Sequence, residues 1–304
     1  MNNPYKNFKS LKMLPSFVCY ADILGYSYLS NKAIQSGNGL IFLTKLHYAL
    51  SNAYARVREH SKGMGDDSFF AIKVFTDNIV IGYPLHRPAF DYGEPEFGDI
   101  LSFFSEFQAG LAMEGFFVRG GVAVGEHYMD DDIVFGDALI EAVAQDKNGG
   151  PPRISLAPSA IEIVRHQLGF YREISWAPQY DDLLEDADRT IFLNYLGEAF
   201  YVFPDGGIFF DLIEGHHRNI VEGLKEYKGN PGVRSKFEWA ARYHNFVCRE
   251  FVERHPVPKN PNADDLYAAA CEEAQKLLEF TIDIESLAAA PSRMNLTPIK
   301  PKRK

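Results

Sequence analysis

The chain has 304 residues, 46% of them apolar and 24% charged, which is enough to bury one large core or a domain with an extension. A formal net charge of −10 excludes a broad duplex nucleic-acid surface, which needs clustered Lys and Arg, and leaves room for a local small-anion site. Cys19, Cys248 and Cys271 are odd in number and far apart, which fits a reducing compartment and no zinc site. The N-terminal MNNPYKNFKSLKML lacks the apolar run of a signal peptide, and no stretch reaches the length of a membrane span. The expected location is cytoplasmic, with no membrane partner.

In chain order, SFVCYADI (16–23) reads as a buried strand that meets a turn at Gly25. Helical spacing follows from Tyr28 to Arg58, with Gly37 and Gly39 as breakers. SFFAIKVF (68–75) and NIVIGY (78–83) read as a hairpin turning near Thr76, Asp77 and Asn78. A Pro- and Gly-rich loop (84–98) leads to a helix over 99–113 and then to the strand FFVRGGVAVG (116–125). A short strand at 133–135, a helix from Gly136 to Lys147, the strand RISL (153–156) and a helix from Pro158 complete this half.

The order predicts an α+β fold, a ferredoxin-like βαββαβ sheet over residues 15–168, after a short lead (1–14). Residues 169–289 read as a C-terminal, mostly helical extension, with strand-like runs at FLNYL and GIFFDLI. The end, 290–304, carries Lys300, Lys302, Arg303 and Lys304 and reads as a disordered basic tail. His216, His217 and His244 lack metal-ligand companions and read as surface or core histidines, Arg153 as structural, and Asp130–Asp132 as a solvated hairpin tip.

Two carboxylates stand out by position. Asp22 ends the first strand and Asp77 sits at the turn of the next two, so a ferredoxin-like sheet would bring them together. At 4 Å and an effective dielectric of 20 the pair would repel by roughly 4 kcal/mol. It must then share a proton or bind cations, and hard ions such as Mg²⁺ or Mn²⁺ suit carboxylate oxygen. Backbone N–H groups where the strand turns through Leu24, Gly25 and Tyr26 into a helix offer an anion cradle fit for a triphosphate. Taken singly, either Asp is equally an ordinary cap or turn residue.

ADILGYS, KVFTDNIVIG, FFVRGGVAVGE and IVFGDALIEAVAQD occur in the order of four motifs of class III nucleotide cyclases, and the chain resembles that family over residues 16–165. The resemblance implies two metal ions (Mn²⁺ or Mg²⁺) held by Asp22, Asp77 and the backbone carbonyl of Ile23. It also implies a nucleoside triphosphate substrate cyclised at a homodimer interface. Lys73, four residues before Asp77, falls on a base-selecting position, and its partner position falls on Ile133 or Asp132. The family's ribose Asn and phosphate Arg fall on Ile140 or Glu141 and on Ala144 or Gln145, so that pair is missing. Arg119 reads either as a phosphate or base contact or as a solvated strand residue.

These departures, with KFEWAARYHN (236–245), resemble the pyrimidine cyclases of bacterial Pycsar anti-phage systems. That implies UTP, or else CTP, as substrate, with Tyr20, Phe69, Phe70 and Phe75 shrinking the base pocket. A separate effector protein would read the cyclic product. The competing readings are a purine cyclase of the same fold and a catalytically inactive cyclase-like sensor or dimerisation module.

Overall fold

A computed structural model describes residues 3–6, 11–63, 70–85, 91–146, 150–174, 176–259, 266–285 and 288–299. The fold is mixed α/β, built on one mixed sheet. Strands β1 (Leu14–Ile23), β2 (Ala71–Phe75), β3 (Asn78–Pro84) and β4 (Val118–Met129) lie side by side in the order β2–β3–β1–β4, all antiparallel. Strand β5 (Val134–Gly136) folds back on β4, and β6 (Ile154–Leu156) joins the far side of β4 in parallel. Strands β7 (Leu183–Glu185) and β8 (Ile191–Leu193) continue the same sheet beyond β6, and β9 (Ser292–Arg293) closes its edge against β7.

Alternation along β1 divides the two faces. Phe17, Cys19, Ala21 and Ile23 are buried on one side with Ile79 and Ile81 of β3. Helices α2 (Gly39–Gly63) and α3 (Glu94–Met113) cover that face, after the short α1 (Tyr26–Gln35). Phe97, Phe103, Phe104 and Phe107 of α3 are fully buried, each worth roughly 2–3 kcal/mol of apolar transfer. The other face carries Val18, Tyr20 and Asp22, and helix α4 (Asp137–Ala144) packs on it. Helix α5 (Pro158–Tyr171), with Pro158 at its first turn, follows β6.

Beyond the one-turn α6 (Gln179–Asp182) come α7 (Phe210–Glu226), α8 (Pro231–Arg254) and α9 (Leu266–Ala274). Asn230 caps α8 by accepting from the Val233 N–H at 3.3 Å. A second core joins α7 and α8 to the sheet through Phe117, Phe192, Tyr195, Ile220, Trp239 and Tyr243. Inside it Tyr195, His216 and His244 form a buried chain: Tyr195 Oη to His216 Nε2 (2.7 Å), then His216 Nδ1 to His244 Nδ1 (3.0 Å). His244 Nε2 lies 3.0 Å from the Phe280 carbonyl, so it carries the proton and His244 Nδ1 accepts from His216.

The helical stretch breaks where its glycines suggest, with Gly37 at a left-handed φ of 77° between α1 and α2. Two expectations change. GIFFDLI is not a strand: from Phe210 it is helix, since Leu212, Ile213, His216 and Ile220 share one buried stripe at helical spacing. The C-terminal end is ordered well past 290: Ser292–Arg293 pair with β7, Met294 is buried, and Arg293 bonds Glu250 and the Tyr180 carbonyl. The basic residues 300–304 lie outside the described residues. No described helix is long and apolar enough to cross a membrane.

Candidate active site

The register of four strands builds one row of side chains across the sheet. Phe75 of β2 faces Asn78 of β3, which faces Asp22 of β1, which faces Arg119 of β4. Directly opposite residues share a face, so this row lies on the α4 side. The next row inward holds Lys73, Val80, Tyr20 and Gly121.

Asp77 sits in the two-residue turn before Asn78, after Thr76 with φ 57°. A β-branched residue seldom takes that conformation, and here it carries a hydroxyl that donates to Asp77 Oδ1 at 2.8 Å. Asn78 Nδ2 donates to the same oxygen at 3.1 Å, and the Tyr20 hydroxyl donates to Asn78 Oδ1. The Asp77 carbonyl accepts from the Ile23 N–H at 3.1 Å, which ties the turn to the end of β1. These bonds hold the Asp77 turn against the end of β1, one residue from Asn78, which lies opposite Asp22. The Asp22 carboxyl is pushed up to about 6, first by burial and then by the charges of Asp146 and Asp77, against the pull of Arg119.

Asp146, just past α4, is a third carboxylate that the sequence did not single out. Arg119 pairs with it at 2.5 Å (Nε to Oδ1) and donates more weakly to Asp22 Oδ2, at 3.3 Å from Nη2 and 3.4 Å from Nε. Burial raises the Asp146 carboxyl in spite of Arg119 and the nearby Lys236 of α8. An Asp near a helix end is too ordinary a signal to read in advance.

The remaining expected residues spread around this centre. The Leu24 N–H is taken by the Phe117 carbonyl at 2.8 Å, so Leu24 offers no free amide, and the anion cradle narrows to Gly25 and Tyr26. Gly25 has a left-handed φ of 73° and opens α1, while the Tyr26 ring packs inward on Phe42. Lys73 reaches toward the β4–β5 hairpin, with Nζ 3.5 Å from the Asp130 carbonyl, rather than toward Asp22. Tyr20 and Phe75 lie on the site face, but Phe70 is buried against Phe103 on the opposite side and shapes no pocket here. Phe69 lies outside the described residues. Glu141 accepts from the Ser159 hydroxyl at 2.6 Å and caps α5, and Ile140 is exposed.

The donor set can be tested against a divalent cation. Two hard carboxylates meet, one of them held protonatable by its surroundings, and a cation would relieve that pressure. Among the described residues no group of three or more His, Cys, Asp or Glu is placed to hold a metal. An ion held by Asp22 and Asp77 would have to complete its shell with backbone, water or phosphate oxygen. Neither a family model nor a curated protein matches this chain.

Proposed function

We propose that the protein is a nucleotidyl cyclase that converts UTP, or else CTP, to the 3′,5′-cyclic monophosphate and pyrophosphate. The observation that carries this is the meeting of Asp22 and Asp77, from separate elements, beside the start of α1. The strand order β2–β3–β1–β4 supports a ferredoxin-like cyclase domain, and α7–α9 form the helical part of its extension.

Asp22 and Asp77, with the Ile23 carbonyl, would hold Mn²⁺ or Mg²⁺. Such ions supply charge to the triphosphate and acidity to the ribose 3′-hydroxyl. The protein's own part is positioning. Thr76 and Asn78 fix Asp77 from one side, leaving its other oxygen for Asp22 and the ion. The Gly25 and Tyr26 amides at the α1 start face the phosphates. Arg119 keeps Asp22 toward its charged form. In the reaction the 3′-hydroxyl loses its proton to solvent as its oxygen bonds to the α-phosphorus, and the bond from that phosphorus to the bridging oxygen breaks to release pyrophosphate.

Exposed Ile133, Phe135 and Ile140, on the β4–β5 hairpin and α4, support a homodimer formed through this face. Tyr20 and Phe75 would then narrow the base pocket, with Lys73 and Arg119 within the same two rows. The cyclic nucleotide would serve as a signal in phage defence, read by a separate effector.

A second reading, an inactive cyclase-like sensor, draws on the Arg119 bonds that already balance Asp22 and Asp146. One assay separates them. The chain is incubated with each of the four nucleoside triphosphates and Mn²⁺, and products are identified. Cyclic UMP or cyclic CMP is expected; equal turnover of ATP and UTP removes the pyrimidine assignment, and no product with any nucleotide removes the enzyme.

A further inference from the structure

A cleft of about 620 Å³ lies between the β1–α1 turn and the α7–α8 pair, with Leu24, Gly25, Phe117 and Phe237 in its walls. That volume suits a small-molecule ligand. The Phe237 ring meets Phe117 edge-on at 5.5 Å, and the Phe117 carbonyl holds the Leu24 amide, so α8 is keyed to the turn that follows Asp22.

Three lysines from three helices line the cleft, against Glu222 and Glu226 of α7. Lys32 of α1 is committed to Glu226. Lys45 of α2 lies over the Phe116 ring, 5.6 Å from its centroid. Lys236 of α8 is half-buried and forms no ion pair or hydrogen bond with any described residue. Asp146 and Asp22 balance its charge from a distance without touching it, so an anion in direct contact would offset the cost of its partial desolvation. Burial and the Arg119 charge both push Lys236 down, while Asp146 and Asp22 push it up, which places it beside the acidic centre.

We propose that this cleft binds a polyphosphate, with Lys236, contributed by the helical extension of the same chain, as its main cation. The polyphosphate is either the tail of a nucleotide or free pyrophosphate. Only the nucleotide choice rests on the cyclase reading; the anion site does not.

Titration calorimetry of the full chain with inorganic tripolyphosphate, in metal-free buffer, tests it. Lys236→Met should weaken binding about tenfold, Lys236→Arg should restore it to within about threefold, and Lys225→Met, on the exposed side of α7, should change nothing. Lys236→Gln repeats the test if the Met variant melts early. A parallel loss of UTP affinity in Lys236→Met supports the nucleotide tail as the source, and a loss confined to pyrophosphate and tripolyphosphate supports the free anion. Absence of binding by the unaltered chain, or binding by Lys236→Met as tight as its own, overturns the cleft even if the chain proves to be a cyclase. Lys236-dependent tripolyphosphate binding in a chain that cyclises no nucleotide upholds the cleft and overturns the cyclase.

Discussion

Asp22 is kept where its charge is unwelcome. Burial, then the charges of Asp146 and Asp77, push its carboxyl up to about 6, so its ionised form is opposed by its own surroundings. Replacing Asp77 with Asn removes one of the opposing charges. The metal-free melting temperature should rise by about 2 °C, while Mn²⁺ should no longer raise it and product formation should cease. A lower melting temperature, or a retained Mn²⁺ shift, in differential scanning fluorimetry contradicts the metal role. Asp22 and Asp77 were legible in sequence because a strand end and a hairpin turn are local features. Asp146 and Lys236 were not. Asp146 in the turn after α4 and Lys236 within α8 are each ordinary locally, and only long-range packing brings them near Arg119.

At the scale of elements, the site depends on how closely β4 approaches its neighbours. A Cβ on Gly120 would sit 1.9 Å from the Tyr20 carbonyl, and one on Gly121 would sit 2.5 Å from the Ala142 carbonyl of α4. Backbone atoms cannot step aside, so Gly121→Ala should cost about 1–3 kcal/mol, read as a lower urea midpoint with an unchanged slope. The central strands and α3 were readable because alternation and apolar runs mark them. The three-residue strands β7 and β8 were not recognised as part of the main sheet, since pairing partners far away in sequence define them. GIFFDLI misled for a related reason: a run of adjacent apolar residues suits a buried strand as well as the start of a buried helix.

The His216–His244 chain joins α7 to α8. Burial lowers both imidazoles, His244 to about 4, while an unfolded histidine titrates near 6.5. The unfolded chain therefore binds more protons between these values. The stability contributed by these groups is complete above about pH 6.5 and is lost as pH falls toward 4. Chemical denaturation at pH 7.5, 6 and 5 should show this decline, and His216→Gln should make it shallower. An equal slope in the variant would place the acid sensitivity elsewhere.

For the whole molecule, the extension is continuous with the sheet. Arg153, beside β6, pairs with Asp186 and Asp188 (2.6 Å), and the Trp239 indole N–H of α8 donates to Asp186 at 2.6 Å. Removing residues 169–304 would strip β7, β8 and α8 from β6 and expose the second core, so the remaining 168 residues should aggregate rather than fold. Soluble, cooperatively melting protein from that truncation contradicts this. The exposed Phe135 makes a second large-scale prediction: Phe135→Asp should give a monomer by light scattering and lose cyclase activity, with the melting temperature changed by less than about 2 °C.

The two ends of the sheet are unequal. At one end β9 is only two residues long, and the Arg293 side chain is tied to Glu250 across it. At the other end β2 runs for five residues, and no described strand pairs with its outer side. A short, charged rim is a poor template for an incoming chain, whereas a longer bare one can accept it. Among the described residues β2 is thus the longer open end of the main strand path. Two copies that paired through β2 would use up both of those edges, so association through β2 alone ends in a closed pair.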